Sequence, residues 1–258
     1  MKKINISVVG ALGRMGKLLV KQITKDKKFN LKSITDINSG KYVGKLRTES
    51  NNLETFKNTD IIIDFSRPKV SLEILNYAKK LKIKVVIGTT GFTRKQNNLI
   101  KNYSKHIAIF KSGNMSLGIN LLEHITQILS KIIPNNYNIL IKDNHHKKKI
   151  DYPSGTALML ANAISKGKKK KLESIKGKIF LNSKRDNPQK NKINFYIKRK
   201  GNIIGKHSIN FKNKIENIEL KHTAFSRELF ADGALKAALW ISKKNKGLFD
   251  MQDMLNLK

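Results

Sequence analysis

Residues 4–25, INISVVGALGRMGKLLVKQITK, constrain the fold more than any other stretch of the chain. A strand-like apolar run ends at a glycine, a turn with two further glycines follows, and from Arg14 the apolar residues recur at helical spacing. Gly10 suits a tight turn, Gly13 lets the backbone approach a pyrophosphate, and Gly16 allows a helix to pack closely on a sheet. The helix start then offers N–H groups to phosphates. LKSITD (31–36) reads as a second strand ending at Asp36, a carboxylate placed to accept hydrogen bonds from an adenosine ribose and to repel a 2′-phosphate. The bland alternative is an ordinary βα turn beside an unrelated aspartate. Agreement among strand, turn, helix and acid favours a dinucleotide site.

The same alternation continues. DIIIDFS (60–66), KVVIGTTGF (84–92) and IAIFKS (107–112) read as strands, with helices expected over 70–81 and near 94–105. Alternation at this spacing is the pattern of a doubly wound parallel sheet. GTTGF and DFSRP (64–68) fall where ligands sit in such folds, and each is equally well a plain turn. After SGNMSLG (112–118) the texture changes. A long apolar helix (118–132), a strand (137–142), a helix (156–165) and three β-rich segments (193–199, 205–212, 217–224) suggest an open mixed sheet with helices on one face. A helical tail follows from 228, and GLFDMQDML closes the chain. The division expected is residues 1–115 completed by 225–258, with 116–224 inserted between them.

The chain has 258 residues, no cysteine and a formal charge of +35. It lacks thiolate zinc ligands and disulfides, has no 18-residue uncharged apolar span, and its first apolar run is too short for a signal h-region. A cytoplasmic protein is expected. Only seven of the 53 basic residues are arginine. Lysine, asparagine and isoleucine share A/T-rich codons, and the lysines are spread over nearly every segment. Base composition therefore explains the charge better than a dedicated nucleic-acid face, which would favour bidentate arginine. Weak, salt-sensitive adhesion to nucleic acid is still expected.

NHHKKKIDYPSGT (144–156) is the most informative loop. As a metal site it is poor, because adjacent histidines point apart on extended chain and only Asp143 and Asp151 lie at ligand spacing. As a solvated basic loop it is plausible from charge alone. Its continuation argues otherwise: Ser154 is a natural N-cap, so the N–H groups of Gly155 and Thr156 emerge at a helix N-terminus suited to a carboxylate or phosphate. The imidazoles beside them titrate near neutrality.

GALGRMG, DFSRP, IGTTGF, SGNMSLGIN, HHKKKIDYPSGTA and LFADGALKAALWI…GLFDMQDML occur in the order seen in the dihydrodipicolinate (4-hydroxy-tetrahydrodipicolinate) reductase family, which the whole chain resembles. The histidine–lysine–PSGT element is far more specific than the nucleotide turn. The resemblance implies a Rossmann domain completed by the C-terminal tail, an inserted α+β substrate domain whose open sheet builds a homotetramer, and NAD(P)H-dependent reduction of a cyclic imine dicarboxylate at C4 with loss of water. It makes His145 and Lys149 the catalytic pair, and His146, Gly155 and Thr156 substrate-binding residues. For the cofactor it implies Gly10, Ala11, Leu12, Gly13, Arg14 and Met15, then Gly88, Thr89 and Thr90, then Ser112, Gly113, Asn114 and Met115. No metal is implied.

Two positions depart from the family pattern. Many members carry an arginine directly after the ribose-binding acid, where this chain has Ile37. With Asp36 retained, a preference for NADH over NADPH is expected, with Lys41 as a partial substitute for the arginine. Relatives also often have glutamate at the position of Asp143, so a supporting carboxylate is one methylene shorter here. Another dehydrogenase of a small acid would lack HH-x-x-K followed by PSGT, and against a basic nucleic-acid-binding module stand the seven arginines, the even lysine spread and a single Trp with few paired aromatics.

Overall fold

The computed structural model describes residues 3–182 and 187–258. In chain order its elements begin β1 (Ile4–Val9), α1 (Arg14–Lys25), β2 (Phe29–Thr35), β3 (Tyr42–Val43), β4 (Leu46–Arg47), β5 (Ile61–Asp64), α2 (Pro68–Leu81), β6 (Lys84–Ile87), α3 (Arg94–Tyr103) and β7 (Ala108–Lys111). There follow α4 (Leu117–Ile132), β8 (Asn138–His145), α5 (Gly155–Gly167), α6 (Leu172–Ile175), β9 (Lys176–Leu181), β10 (Ile193–Arg199), β11 (Gly205–Lys212) and β12 (Asn217–Ala224). The chain ends with α7 (Glu228–Ile241), β13 (Gly247–Phe249) and α8 (Met251–Met254). Two compact units result, Met1–Met115 with Arg227–Lys258, and Ser116–Ser226.

The first unit is a six-stranded sheet in the order β13-β7-β6-β5-β1-β2, and every pairing in it is parallel. A parallel sheet covered on both faces needs strands that are apolar throughout. β5 meets that demand with Ile61, Ile62 and Ile63, all fully buried. The helices are punctuated by local chemistry. Pro68 opens α2, where a missing N–H costs nothing, and Thr93 with Gln96 forms a reciprocal capping box at α3. The helix expected in the tail from 228 forms as α7, and the closing GLFDMQDML adds a short strand and a short helix after it. Gly247–Phe249 is a strand that adds to β7 at the sheet edge.

The second unit is a mixed sheet in the order β12-β11-β8-β10-β9, in which β10 runs parallel to β8 and β9, and β11 antiparallel to β8 and β12. Side chains alternate along β8, so Ile139, Ile141, Asp143 and His145 share the buried face. There Ile139 and Ile141 join Phe195, Ile209 and Phe211 and the helix residues Ile119, Leu160 and Ile164 in one core. Burying side chains of this size stabilises by about 1.5–3 kcal/mol each. Asp143 and His145 continue the same row past the apolar core, so strand periodicity itself turns them inward.

Candidate active site

Along the parallel sheet, β1 and β5 are neighbours, and the chain continues from them in opposite directions, to β2 on one side and β6 on the other. Such a switch point leaves a crevice at the carboxyl ends of the strands. A cavity of about 250 Å³ lies there, lined by Gly10, Leu12 and Gly13 of the turn, by Asp36, Ile37 and Asn38 after β2, and by Phe65, Ser66 and Arg67 after β5. Gly10 has φ +78°, and a Cβ on it would come 2.5 Å from the Phe65 carbonyl oxygen. A Cβ on Gly16 would meet the Gly10 oxygen at 2.2 Å. This cradle tolerates only glycine, and it fits a dinucleotide whose phosphates approach the backbone. Among the described residues no side chain caps α1 at Gly13, which leaves its first-turn N–H groups to an anion.

Asp36 is held against the turn: Leu12 N–H donates to its Oδ2 at 3.1 Å and Asn38 N–H to its Oδ1 at 3.3 Å. Ile37 beside it is 60% exposed. Ala11, Arg14 and Met15 belong to the same turn and helix start without lining the cavity. Gly88, Thr89 and Thr90 follow β6, and Ser112 to Met115 follow β7, along the same strand-end edge. Thr89 is tied inward, its Oγ1 accepting from Ser66 N–H at 2.9 Å.

Two features of this edge had no sequence signal beyond a turn. Arg67 borders the cavity. Asp64, fully buried, accepts from the hydroxyls of Ser66 and Ser71 at 2.5 Å each and of Thr89 at 3.1 Å. It joins the turns after β5 and β6. Burial pushes its carboxyl above the ordinary range against the opposing pull of those hydroxyls.

In the second unit, strand register gathers four polar side chains at the end of β8. On β11, His207 pairs with Asp143, and on β10, Arg199 pairs with His145. Asp143 Oδ1 lies 2.8 Å from His145 Nδ1 and 3.3 Å from His207 Nε2, while its Oδ2 lies 3.2 Å from Arg199 Nη2. Ser154 closes the group: its N–H donates to Asp143 Oδ2 at 2.8 Å and its hydroxyl to Oδ1 at 2.9 Å. The same hydroxyl accepts from Ala157 N–H at 3.2 Å, the N-cap bond of α5. Gly155 and Thr156 begin that helix. The loop between β8 and α5 carries Lys149, whose Nζ pairs with Asp151 Oδ1 at 2.7 Å.

His145 is 8% exposed, whereas His146 is half-buried and Lys147 and Lys148 are exposed. The adjacent histidines thus point apart, and only the first joins Asp143. Burial opposes ionisation of Asp143, yet contacts from His145, His207 and the Ser154 N–H outweigh it and hold the carboxyl well below the usual range. Burial lowers the pKa of His145, against an opposing pull from Asp143. The donor atoms of Asp143, His145 and His207 lie within 4.8 Å of one another, a spacing a cation could use. His207, 62 residues beyond His145, was invisible to a reading of ligand spacing within the loop.

The family model described as "Dihydrodipicolinate reductase, N-terminus" matches residues 4–115, and "Dihydrodipicolinate reductase, C-terminus" matches 118–255. The chain belongs to the dihydrodipicolinate reductase family. A 4-hydroxy-tetrahydrodipicolinate reductase from Pelagibacter ubique is 49% identical over all of both chains. One from Buchnera aphidicola of Cinara cedri is 43% identical over 98% of this chain and 97% of its own. Among solved structures, a dipicolinate-bound dihydrodipicolinate reductase from Paenisporosarcina sp. TG-14 shares the fold, with a TM-score of 0.76 at 20% identity over 98% of this chain and 99% of that one. The family's members are pyridine-nucleotide-dependent oxidoreductases of the diaminopimelate route to lysine.

Proposed function

We propose that this chain reduces 4-hydroxy-tetrahydrodipicolinate to tetrahydrodipicolinate, with His145 and Lys149 as its catalytic residues. The observation that carries the reading is the site at the end of β8. A buried imidazole lies on a carboxylate that also holds the serine cap at the start of α5, and the loop between them carries Lys149, paired with Asp151. A nicotinamide coenzyme, when bound, would supply the hydride. Loss of the 4-hydroxyl and a C3 hydrogen as water, before or together with hydride transfer, conjugates C4 with the ring imine, so that C4 takes up the hydride and the ring system takes up one proton. Electron density moves toward the ring nitrogen as the hydride arrives, and the Lys149 ammonium is the donor that offsets it. His145 acts as general acid or orients the reacting centre. Gly155 and Thr156, at the start of α5, hold a substrate carboxylate, and His146 adds a further polar contact.

For the cofactor, Gly10 to Met15 with the α1 start take the pyrophosphate, and Asp36 takes the adenosine ribose. Gly88 to Thr90 and Ser112 to Met115 line the nicotinamide end. The carboxylate of Asp36 beside an uncharged Ile37 favours NADH, with NADPH accepted more weakly. The Asp143 cluster needs no metal, because the Arg199 guanidinium already stands against the carboxylate and Ser154 occupies both of its oxygens. The sheet face opposite α4 and α5 is the surface through which copies associate as a homotetramer. No helix among the described residues is long and apolar enough to cross a membrane; the cysteine-free composition fits a cytoplasmic setting, and the few arginines among evenly spread lysines argue against nucleic acid as a specific partner. Oxidation of NADH or NADPH with the substrate generated in situ tests the activity.

A further inference from the structure

The Asp143 carboxylate and the Arg199 guanidinium reach every part of the proposed catalytic apparatus of this unit. Asp143 touches the His145 ring on one side and caps the Ser154 turn on the other. Arg199 donates from Nη1 to the Asp143 carbonyl oxygen at 2.9 Å, and from Nη2 to the Asp143 carboxylate at 3.2 Å and to the Asp151 carbonyl oxygen at 2.8 Å. Asp151 is the residue whose carboxylate holds Lys149. The Arg199 side chain is 7% exposed and that of Asp143 is fully buried. A buried ion pair stabilises a fold no better than well-packed apolar residues, so its value here lies in geometry. A lysine has one point charge and cannot span the same three acceptors.

We infer that Asp143 and Arg199 are positioning residues: one buried pair sets the His145 ring, the start of α5 and the loop carrying Lys149 in register with one another. The Asp143 carboxylate lies 2.8 Å from Nδ1 of His145, and its negative charge favours the proton on that nitrogen and leaves Nε2 as the reactive one. Nε2 faces Gly205, where an added Cβ would lie 3.4 Å away. The groups that bear on the His145 charge are Asp143 on its own strand, His207 on β11, Arg199 on β10 and Lys149 on the loop. Of these only Asp143 favours the imidazolium.

This inference rests on the proposed function, and Asp143→Asn, Asp143→Glu and Arg199→Lys test it. Asp143→Asn should lower kcat about 100-fold with KM for NADH within about twofold. It should also move the limb of the kcat–pH profile governed by His145 at least roughly one unit to lower pH, since a neighbouring opposite charge is lost. Asp143→Glu should restore kcat to within about tenfold. Arg199→Lys should lower kcat about tenfold and raise KM for the dicarboxylate, through the loosened Lys149 loop. A purely structural role would lower the melting temperature and the active fraction without moving the pH limb. A folded Asp143→Asn enzyme with kcat within threefold of wild type and an unmoved limb overturns the inference, and if that variant does not fold, Arg199→Lys decides on the same readouts. If the wild type does not turn over the substrate, the functional reading fails instead. The 15N shifts of the His145 ring in wild type and Asp143→Asn then decide the positioning role, which predicts a change of Nδ1–H population and is contradicted by identical shifts.

Discussion

Arg199 and Asp143, 56 residues apart in the chain, form a buried ion pair of 3.2 Å across neighbouring parallel strands. The pair makes stability depend on pH. The folded pKa of Asp143 lies below the value of about 3.9 in an unfolded chain. Its stabilisation is therefore complete above about pH 4 and is lost as the pH falls through the folded value. Burial lowers His145 below its ordinary value of about 6.5, so its neutral state also favours folding from that pH upward and loses its advantage as the pH falls. Both act in one direction. Melting temperature should decline from pH 7 to pH 3, and Asp143→Asn should flatten the part of that decline below about pH 4. At pH 7 the same substitution should cost about 3–5 kcal/mol in denaturant titrations, because Arg199 keeps a buried charge without its partner.

Ser154 both caps α5 and bonds both oxygens of Asp143. Ser154→Ala should destabilise the chain by about 1–2 kcal/mol, the cost of losing an N-cap. It should also raise KM for the dicarboxylate more than it changes KM for NADH. Chemical denaturation and steady-state kinetics on the same preparation check both halves.

Ile37 stands exposed beside the ribose-binding acid. Ile37→Arg should shift the ratio of kcat/KM for NADPH to that for NADH by about tenfold toward NADPH, since a guanidinium there offers bidentate contacts to a 2′-phosphate. An unchanged ratio would show that another group sets the cofactor choice.

The parallel sheet was legible because fully buried strands carry uninterrupted apolar runs, as in Ile61–Ile63, and because glycines and caps punctuate the connections. The β3–β4 hairpin has two-residue strands, too short to show a period. β9, KGKIFL, is a lysine-bearing edge strand with mostly exposed residues. β13 has three residues, and pairing with β7 rather than any local preference makes it a strand. At the site, His145, Lys149 and the Ser154 cap could be read from one continuous loop. His207, Arg199 and Arg67 could not, because their neighbours are set by strand register and sheet order across tens of residues.

The lysine-rich surface predicts weak nucleic-acid binding that disappears at moderate ionic strength while NADH binding persists, because it rests on counterion release rather than on a shaped site. Titrations of both ligands across a salt series check this. Nucleic-acid binding that survives high salt would point to a dedicated interface.

NADH oxidation with 4-hydroxy-tetrahydrodipicolinate generated in situ, measured for wild type, His145→Ala and Lys149→Ala, is the most direct test of the proposed activity. The wild type should turn over. Each variant should lose about 10²–10⁴-fold in kcat with modest change in KM, as expected when a group acts mainly in the transition state. A wild type without turnover, or a variant that keeps near-wild-type kcat, would contradict the account at the activity or at that residue.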